Sequence, residues 1–312
     1  MTFLLPYLCI LLLSASHALA IGIAEILAQT PELSALNTVL TSEHPEFLVT
    51  LNSTTGTFFA PSDDAMSAFM SSIDPDTFNP DVIKDLIAYH LLPGTFTAKD
   101  LSVVGGVVAE TSLTNAEYVN LDPGKPNVVF ASAYGAAGLD SVEGPLKVYS
   151  GAGEAAAVTK PDLAYDGGLV HVVDHVLNLP QSGTKTAELL SLKIASEFVQ
   201  QTGLTETFDG TAKLTSFAPS DEAFKAAGID LSAITPEQAT AALQYHLISG
   251  DVGYSTVLDD GKEYQTLLGA PVTIHKKDGQ LFVNDVPVQQ ANVITKNGVA
   301  HILAGVLAPP GL

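Results

Sequence analysis

Most of the residues in this 312-residue chain that could do chemistry occur twice. Ser62-Asp63-Asp64 and Ser220-Asp221-Glu222 set a hydroxyl beside carboxylates, the material of an activated nucleophile or of a metal-binding pair. Tyr89-His90 and Tyr245-His246 each offer a phenol and an imidazole, groups suited to general acid-base work. His171 and His175 have the H-x-x-x-H spacing, which brings two imidazoles to one metal ion when the segment is helical. Gly151-Ala152-Gly153-Glu154-Ala155-Ala156 formally matches the G-x-G-x-x-A turn of dinucleotide-binding folds.

Each of these features has a structural reading that uses the same residues. Thr57, Phe58 and Phe59 favour extended backbone, and Pro61 keeps the residue before it out of a helix. Ser62 is placed to cap the helix that follows, with Asp63 and Asp64 in its first turn, where the helix dipole favours negative charge. Capping accounts for every polar residue of the block. Tyr89 and His90 close a helix opened by Asn79-Pro80, and in the second copy by Thr235-Pro236, where Gln238 completes a capping box. Val82, Ile83, Leu86 and Ile87 mark its buried face, and a histidine at its end donates to terminal carbonyls and anchors a turn ending at Gly94. No acidic or nucleophilic partner is fixed beside that histidine in both copies. Leu169, His171, Val173 and His175 alternate with Val170, Val172, Asp174 and Val176 as in a strand entered through the turn pair Gly167-Gly168 (Asn297-Gly298 in the second copy). On a strand His171 and His175 stand about 13 Å apart, too far to share an ion, and His175 becomes Gly305 in the second copy. The glycine-rich match has no βαβ pattern around it. No catalytic residue, metal site or cofactor is assigned from these patterns.

The elements that carry these residues are duplicated in order. The block Thr57–Met66 returns at Thr215–Phe224, an offset of 158. Tyr89–Gly94 returns at Tyr245–Gly250, an offset of 156, and Gly168–Val173 returns at Gly298–Leu303, an offset of only 130. The first copy therefore holds 26 more residues between its second and third blocks. The glycine- and alanine-rich stretch Ala131–Ala157 is their expected place, as a long surface loop or an added hairpin. A linker at Pro180-Gln181-Ser182-Gly183-Thr184 divides the chain into modules at 21–180 and 181–312.

Composition bounds the compartment and the partners. Residues 1–20 read as a signal peptide: Phe3–Leu13 is almost wholly apolar and Ala18-Leu19-Ala20 is a cleavage signature. That run is shorter than the roughly 20 apolar residues of a membrane span. The one cysteine, Cys9, falls inside it, so no disulfide is expected in the exported protein. The C-terminal Ala308-Pro309-Pro310-Gly311-Leu312 has no features of a lipid-anchor signal. A net charge of -21 disfavours nucleic acid and anionic membrane surfaces as partners. Asn52-Ser53-Thr54 is a glycosylation acceptor in sequence terms, placing a glycan on Asn52.

The ordered triple of blocks, present twice, resembles the fasciclin family: Thr57–Met66 and Thr215–Phe224 as its first motif, Tyr89-His90 and Tyr245-His246 as its Tyr-His segment, Gly168–Leu177 and Gly298–Leu307 as its second motif. The resemblance implies an α+β fold of two tandem domains, each a β-sandwich or wedge flanked by helices. It also implies an extracellular location and adhesion to cells, matrix or cell-wall polymers without catalysis. Animal members are linked to integrins through a Pro-Asp-Ile-type motif before the second block and through the Tyr-His segment. The matching residues here are Pro161-Asp162-Leu163, preceded by Lys160; the second copy has Ala291-Asn292-Val293. The candidate partner-binding residues are therefore Pro161, Asp162, Leu163, Tyr89, His90, Tyr245 and His246, with the alternative that Asp162 merely opens a turn after Pro161. The partner expected is an extracellular protein or polysaccharide. A competing function is a soluble carrier of a small hydrophobic ligand, a lipid or sterol, held in an apolar cleft between sheet and helices.

Overall fold

The computed structural model describes residues 21–73, 79–229 and 233–311. The expected signal segment and Cys9 lie outside the described residues. The first copy runs α1 (Ile23–Gln29), a 3-10 turn, α2 (Ser34–Thr38), a π turn, α3 (Glu46–Ser53), β1 (Gly56–Pro61), α4 (Asp63–Ser72), α5 (Pro80–His90), β2 (Leu91–Pro93), α6 (Ala98–Leu101), β3 (Val107–Glu110), β4 (Val128–Ser132), β5 (Lys147–Tyr149), β6 (Ala155–Tyr165) and β7 (Gly168–Val173). The second runs α7 (Gly183–Leu189), α8 (Lys193–Gln201), α9 (Thr205–Gly210), β8 (Leu214–Pro219), α10 (Asp221–Ala227), α11 (Pro236–Tyr245), β9 (Leu247–Ser249), β10 (Glu263–Gln265), β11 (Pro271–Lys277), β12 (Gln280–Val283), β13 (Val286–Thr295) and β14 (Gly298–Leu303). Ser62, Asn79 and Thr235 cap α4, α5 and α11, the last through a complete capping box with Gln238. Among the described residues no helix is long and apolar enough to cross a membrane.

The two copies build the same sheet: β2-β1-β7-β6-β5-β4-β3 in one and β9-β8-β14-β13-β12-β11-β10 in the other. One long strand bends each sheet into a wedge. Ala155–Ala157 of β6 pair with β5, while Val158–Tyr165 pair with β7, and β13 divides its partners the same way. One core fills the wedge, where Phe59 and Val173 meet Val129, Ala131 and Val148. A second lies under the helices, where Phe58, Ala60, Val170 and Val172 meet Ile23, Leu27 and Leu40. Neighbouring residues serve different cores because successive strand side chains point to opposite faces. The expected alternation thus holds to Val173, where β7 ends, and His175 lies beyond the strand, exposed against Asp174.

At the centre of each sheet β1 and β7, or β8 and β14, run parallel. Gly168 and Gly298 are not turn residues; the turns are Asp166-Gly167 and Lys296-Asn297, and the glycines begin the strands. A Cβ on Gly168 would lie 1.9 Å from the Gly56 carbonyl oxygen, and one on Gly298 2.0 Å from that of Leu214. Their φ angles, 146° and 152°, also favour glycine.

The extra residues of the first copy are divided between two connections. The β3–β4 connection spans 111–127 against 266–270 in the second copy, and the β4–β5 connection spans 133–146 against the tight turn 278–279. About half of the surplus therefore lies outside Ala131–Ala157. Nor is it a free surface loop, because both connections pack against the second domain. Ala137 and Leu139 join that domain's wedge core. Val128, Phe130 and Tyr149 meet Tyr254, Ile294 and Val299 in a shared apolar cluster. Asn292 Nδ2 donates to the Ala136 carbonyl at 2.6 Å, Gln290 Nε2 to Gly153 at 2.8 Å, and the buried Asn127 Nδ2 to Thr295 at 3.2 Å. Gly151 bridges Ile294, so the turn that matched a dinucleotide motif faces protein. The linker is shorter than its composition implied, since Ser182 caps α7 and Gly183 and Thr184 already belong to that helix.

Gly168→Ala or Gly298→Ala should each destabilise the protein by about 3 kcal/mol or more in chemical denaturation, through collision with the neighbouring strand. Replacing 133–146 with Asp-Gly, the second copy's turn, should separate the unfolding of the two domains into two calorimetric transitions.

Candidate functional site

The Tyr-His segments are internal braces. His90 Nδ1 donates to the Leu86 carbonyl at 2.7 Å, and its Nε2 accepts from the Leu177 N–H at 2.9 Å. His246 repeats both contacts, with Ala242 at 2.8 Å and Leu307 at 3.2 Å. Tyr89 Oη donates to the Val128 carbonyl that opens β4, and Tyr245 Oη to the Pro271 carbonyl that opens β11. Helix α5 is thereby tied both to the chain leaving the central strand and to the far half-sheet. All four residues are buried. Their polar atoms are committed to the fold.

The Pro161-Asp162-Leu163 segment lies on a β-bulge in β6, where Asp162 has φ 59°; Asn292 holds the matching bulge of β13 with φ 57°. Asp162 Oδ1 accepts from the Ala98 N–H at 2.9 Å, and Asn292 Oδ1 from the Ser255 N–H at 2.8 Å. Behind each bulge is a buried histidine. His171 accepts the Asp162 N–H on Nδ1 and donates from Nε2 to the Phe96 carbonyl. His301 donates from Nε2 to the Gly253 carbonyl, and its buried Nδ1 has no hydrogen-bond partner among the described residues. The Thr57 and Thr215 hydroxyls hold the same connecting segments, accepting from the Phe96 and Gly253 N–H groups at 2.7 Å. These roles of Thr57 and His171 were missed in the sequence, although their recurrence as Thr215 and His301 was the signal.

The two bulges differ in what covers them. The Asp162 side chain is 43% exposed, and Pro161 is exposed beside it. Asn292 is 0% exposed, closed off by the first domain through Ala136. Lys160 leans across to Glu32 at 2.7 Å, leaving a cation, a proline and a carboxylate together on the first domain's surface.

The remaining candidate groups act within the fold. Asp63 accepts from the Ala35 N–H and the Ser34 hydroxyl at the start of α2, and Asp221 from the Ile194 N–H of α8. Asn52 is exposed at the end of α3, its Oδ1 accepting from the Ile23 N–H. Among the described residues no three His, Cys, Asp or Glu side chains converge to hold a metal.

Burial holds His90, His246 and His301 neutral, lowering each pKa from 6.5 to about 4. Burial also lowers His171 and outweighs the opposing effect of Asp162, so their 3.9 Å approach involves a neutral ring. Below pH 6.5 the unfolded chain takes up protons that the folded chain refuses. The stability associated with neutral imidazoles is whole above pH 6.5 and is lost as pH falls toward 4, by about 3 kcal/mol for each strongly shifted ring. Melting temperature measured from pH 7 to pH 4 should fall accordingly, and His246→Gln should flatten the slope.

The fasciclin domain family matches residues 31–180 and 190–309. A fasciclin-like arabinogalactan protein of Phaeosphaeria nodorum is 32% identical over 72% of this chain and 69% of its own. One from Arthroderma benhamiae is 25% identical over 98% of this chain and 71% of its own. The FAS1 domain pair of the insect cell adhesion molecule fasciclin I aligns over 89% of this chain and 97% of its own, at 18% identity and a TM-score of 0.41. With both family matches falling on the two braced wedges, this chain belongs to the fasciclin family and carries two of its domains in tandem.

Proposed function

We propose that this protein is a secreted, non-enzymatic adhesion protein that binds an extracellular protein or polysaccharide of a matrix or cell wall. The first domain's bulge, Lys160 to Leu163, is the contact surface. One observation carries the reading: the equivalent surface of the second domain is already a protein contact, closed by Ala136 and Gly153 of the first domain, whereas the first domain's stands exposed with its own charges. A bulge that turns backbone and side chains outward is a recurring means of presenting a surface at a sheet. The recurring polar residues support the same reading, because Ser62, Asp63, Tyr89 and His90 make internal hydrogen bonds in the fold. The signal segment and the exposed Asn52 acceptor are consistent with export and glycosylation.

Lys160→Gln with Asp162→Asn gives the first domain the second domain's residues while keeping a side-chain carbonyl for the Ala98 N–H. Binding to the host's wall or matrix fraction should weaken by about tenfold or more, with the melting temperature within about 2 °C of the parent. Unchanged binding by a well-folded variant would exclude this surface.

A further inference from the structure

We infer that the second domain holds a compact, uncharged apolar molecule of about single-ring size in a cavity between its helices and its sheet. The inference is independent of the adhesion surface, which lies on the other domain. The cavity measures about 110 Å³ and is lined by Phe198, Phe208, Phe224, Ala242, Leu243 and Ile302. These residues come from α8, α9, α10, α11 and β14, so five elements of one domain contribute walls.

The lining sets the chemistry of the occupant. Among the described residues no Asp, Glu, Lys or Arg borders the space. The imidazole that reaches it, His246, has both nitrogens engaged, one donating to the Ala242 carbonyl and one accepting from the Leu307 N–H. A charged ligand would have to be desolvated there without a counter-charge, and besides His246 the polar side chains at the lining are the small hydroxyls of Thr184, Thr186, Ser196 and Ser216. Apolar cavities of this order remain dry and take up molecules such as benzene or xenon. Drug-sized ligands need about 300–1,000 Å³, so a sterol is too large. Left empty, the cavity weakens the fold because its lining loses contacts.

The first domain offers a different space at the corresponding place. There the cleft is about 500 Å³ and is bordered by Glu43 and Asp63 as well as Phe58, Met66 and Ile87. At the position of Ala242 the first domain carries Leu86, so a leucine is compatible with this helix face.

The test uses the full chain, labelled at alanine and isoleucine methyl groups and titrated with benzene, with hexanoate as a charged control. Saturable shifts at Ala195, Ala242, Ala300 and Ile302, together with a melting temperature raised by about 2–4 °C, are expected with benzene. Ala242→Leu should fold, melt no lower than the parent and lose the benzene response. If its methyl spectrum collapses, Ala195→Val is the second filling variant, read in the same way. No saturable shift up to the solubility limit of benzene, identical shifts in a folded filled variant, or equally tight binding of hexanoate would overturn the inference.

Discussion

The structure depends on how two buried parallel strands dispose of the backbone groups at their ends. A strand covered on both faces leaves its exit away from water, and an N–H buried there without a partner costs about 1–3 kcal/mol. In both domains a neutral imidazole answers this need. It accepts the N–H of Leu177 or Leu307 and donates to a carbonyl one turn back in the helix that carries it. The preceding tyrosine ties that helix to the strand opening the far half-sheet. With the helix fixed at both places, the wedge has a definite opening angle and its two cores close around Phe58 and Phe59. Because the imidazole works only when neutral, the same device makes the fold sensitive to acid.

A second set of constraints acts at the bulges. Each places an Asp or Asn at positive φ, where its side-chain oxygen holds the segment entering from the second strand of the sheet. The local geometry is shared, yet one bulge is open and the other is covered by protein. The difference arises from the long β3–β4 and β4–β5 connections of the first domain, which reach across to the second. Such a contact joins unlike surfaces and would propagate if both copies offered both of them. The second copy has only the short connections 266–270 and 278–279 and does not repeat this contact.

Several features are legible in the sequence. Ser62, Asn79 and Thr235 were readable as caps because capping depends on residues within one turn. His90 was readable as a donor to its own helix for the same reason. Gly168 was harder: its glycine signature suggested a turn, while the requirement comes from Gly56, more than a hundred residues earlier in the chain. His171 suffered likewise, since its partners at Phe96 and Asp162 lie on other elements.

By itself the sequence determined the duplication, the order of blocks and the helix termini, because these follow from short-range patterns and from comparing the chain with itself, while the α+β character of each copy came with the family resemblance of those blocks. Only the tertiary structure decided which recurring polar groups were spent internally, that half of the surplus lay before β4, and that the surplus joins the domains. It alone distinguished the exposed Asp162 from the covered Asn292. The physical reason is burial: whether a side chain meets water, backbone or another domain depends on residues far away in the chain, which no local pattern records.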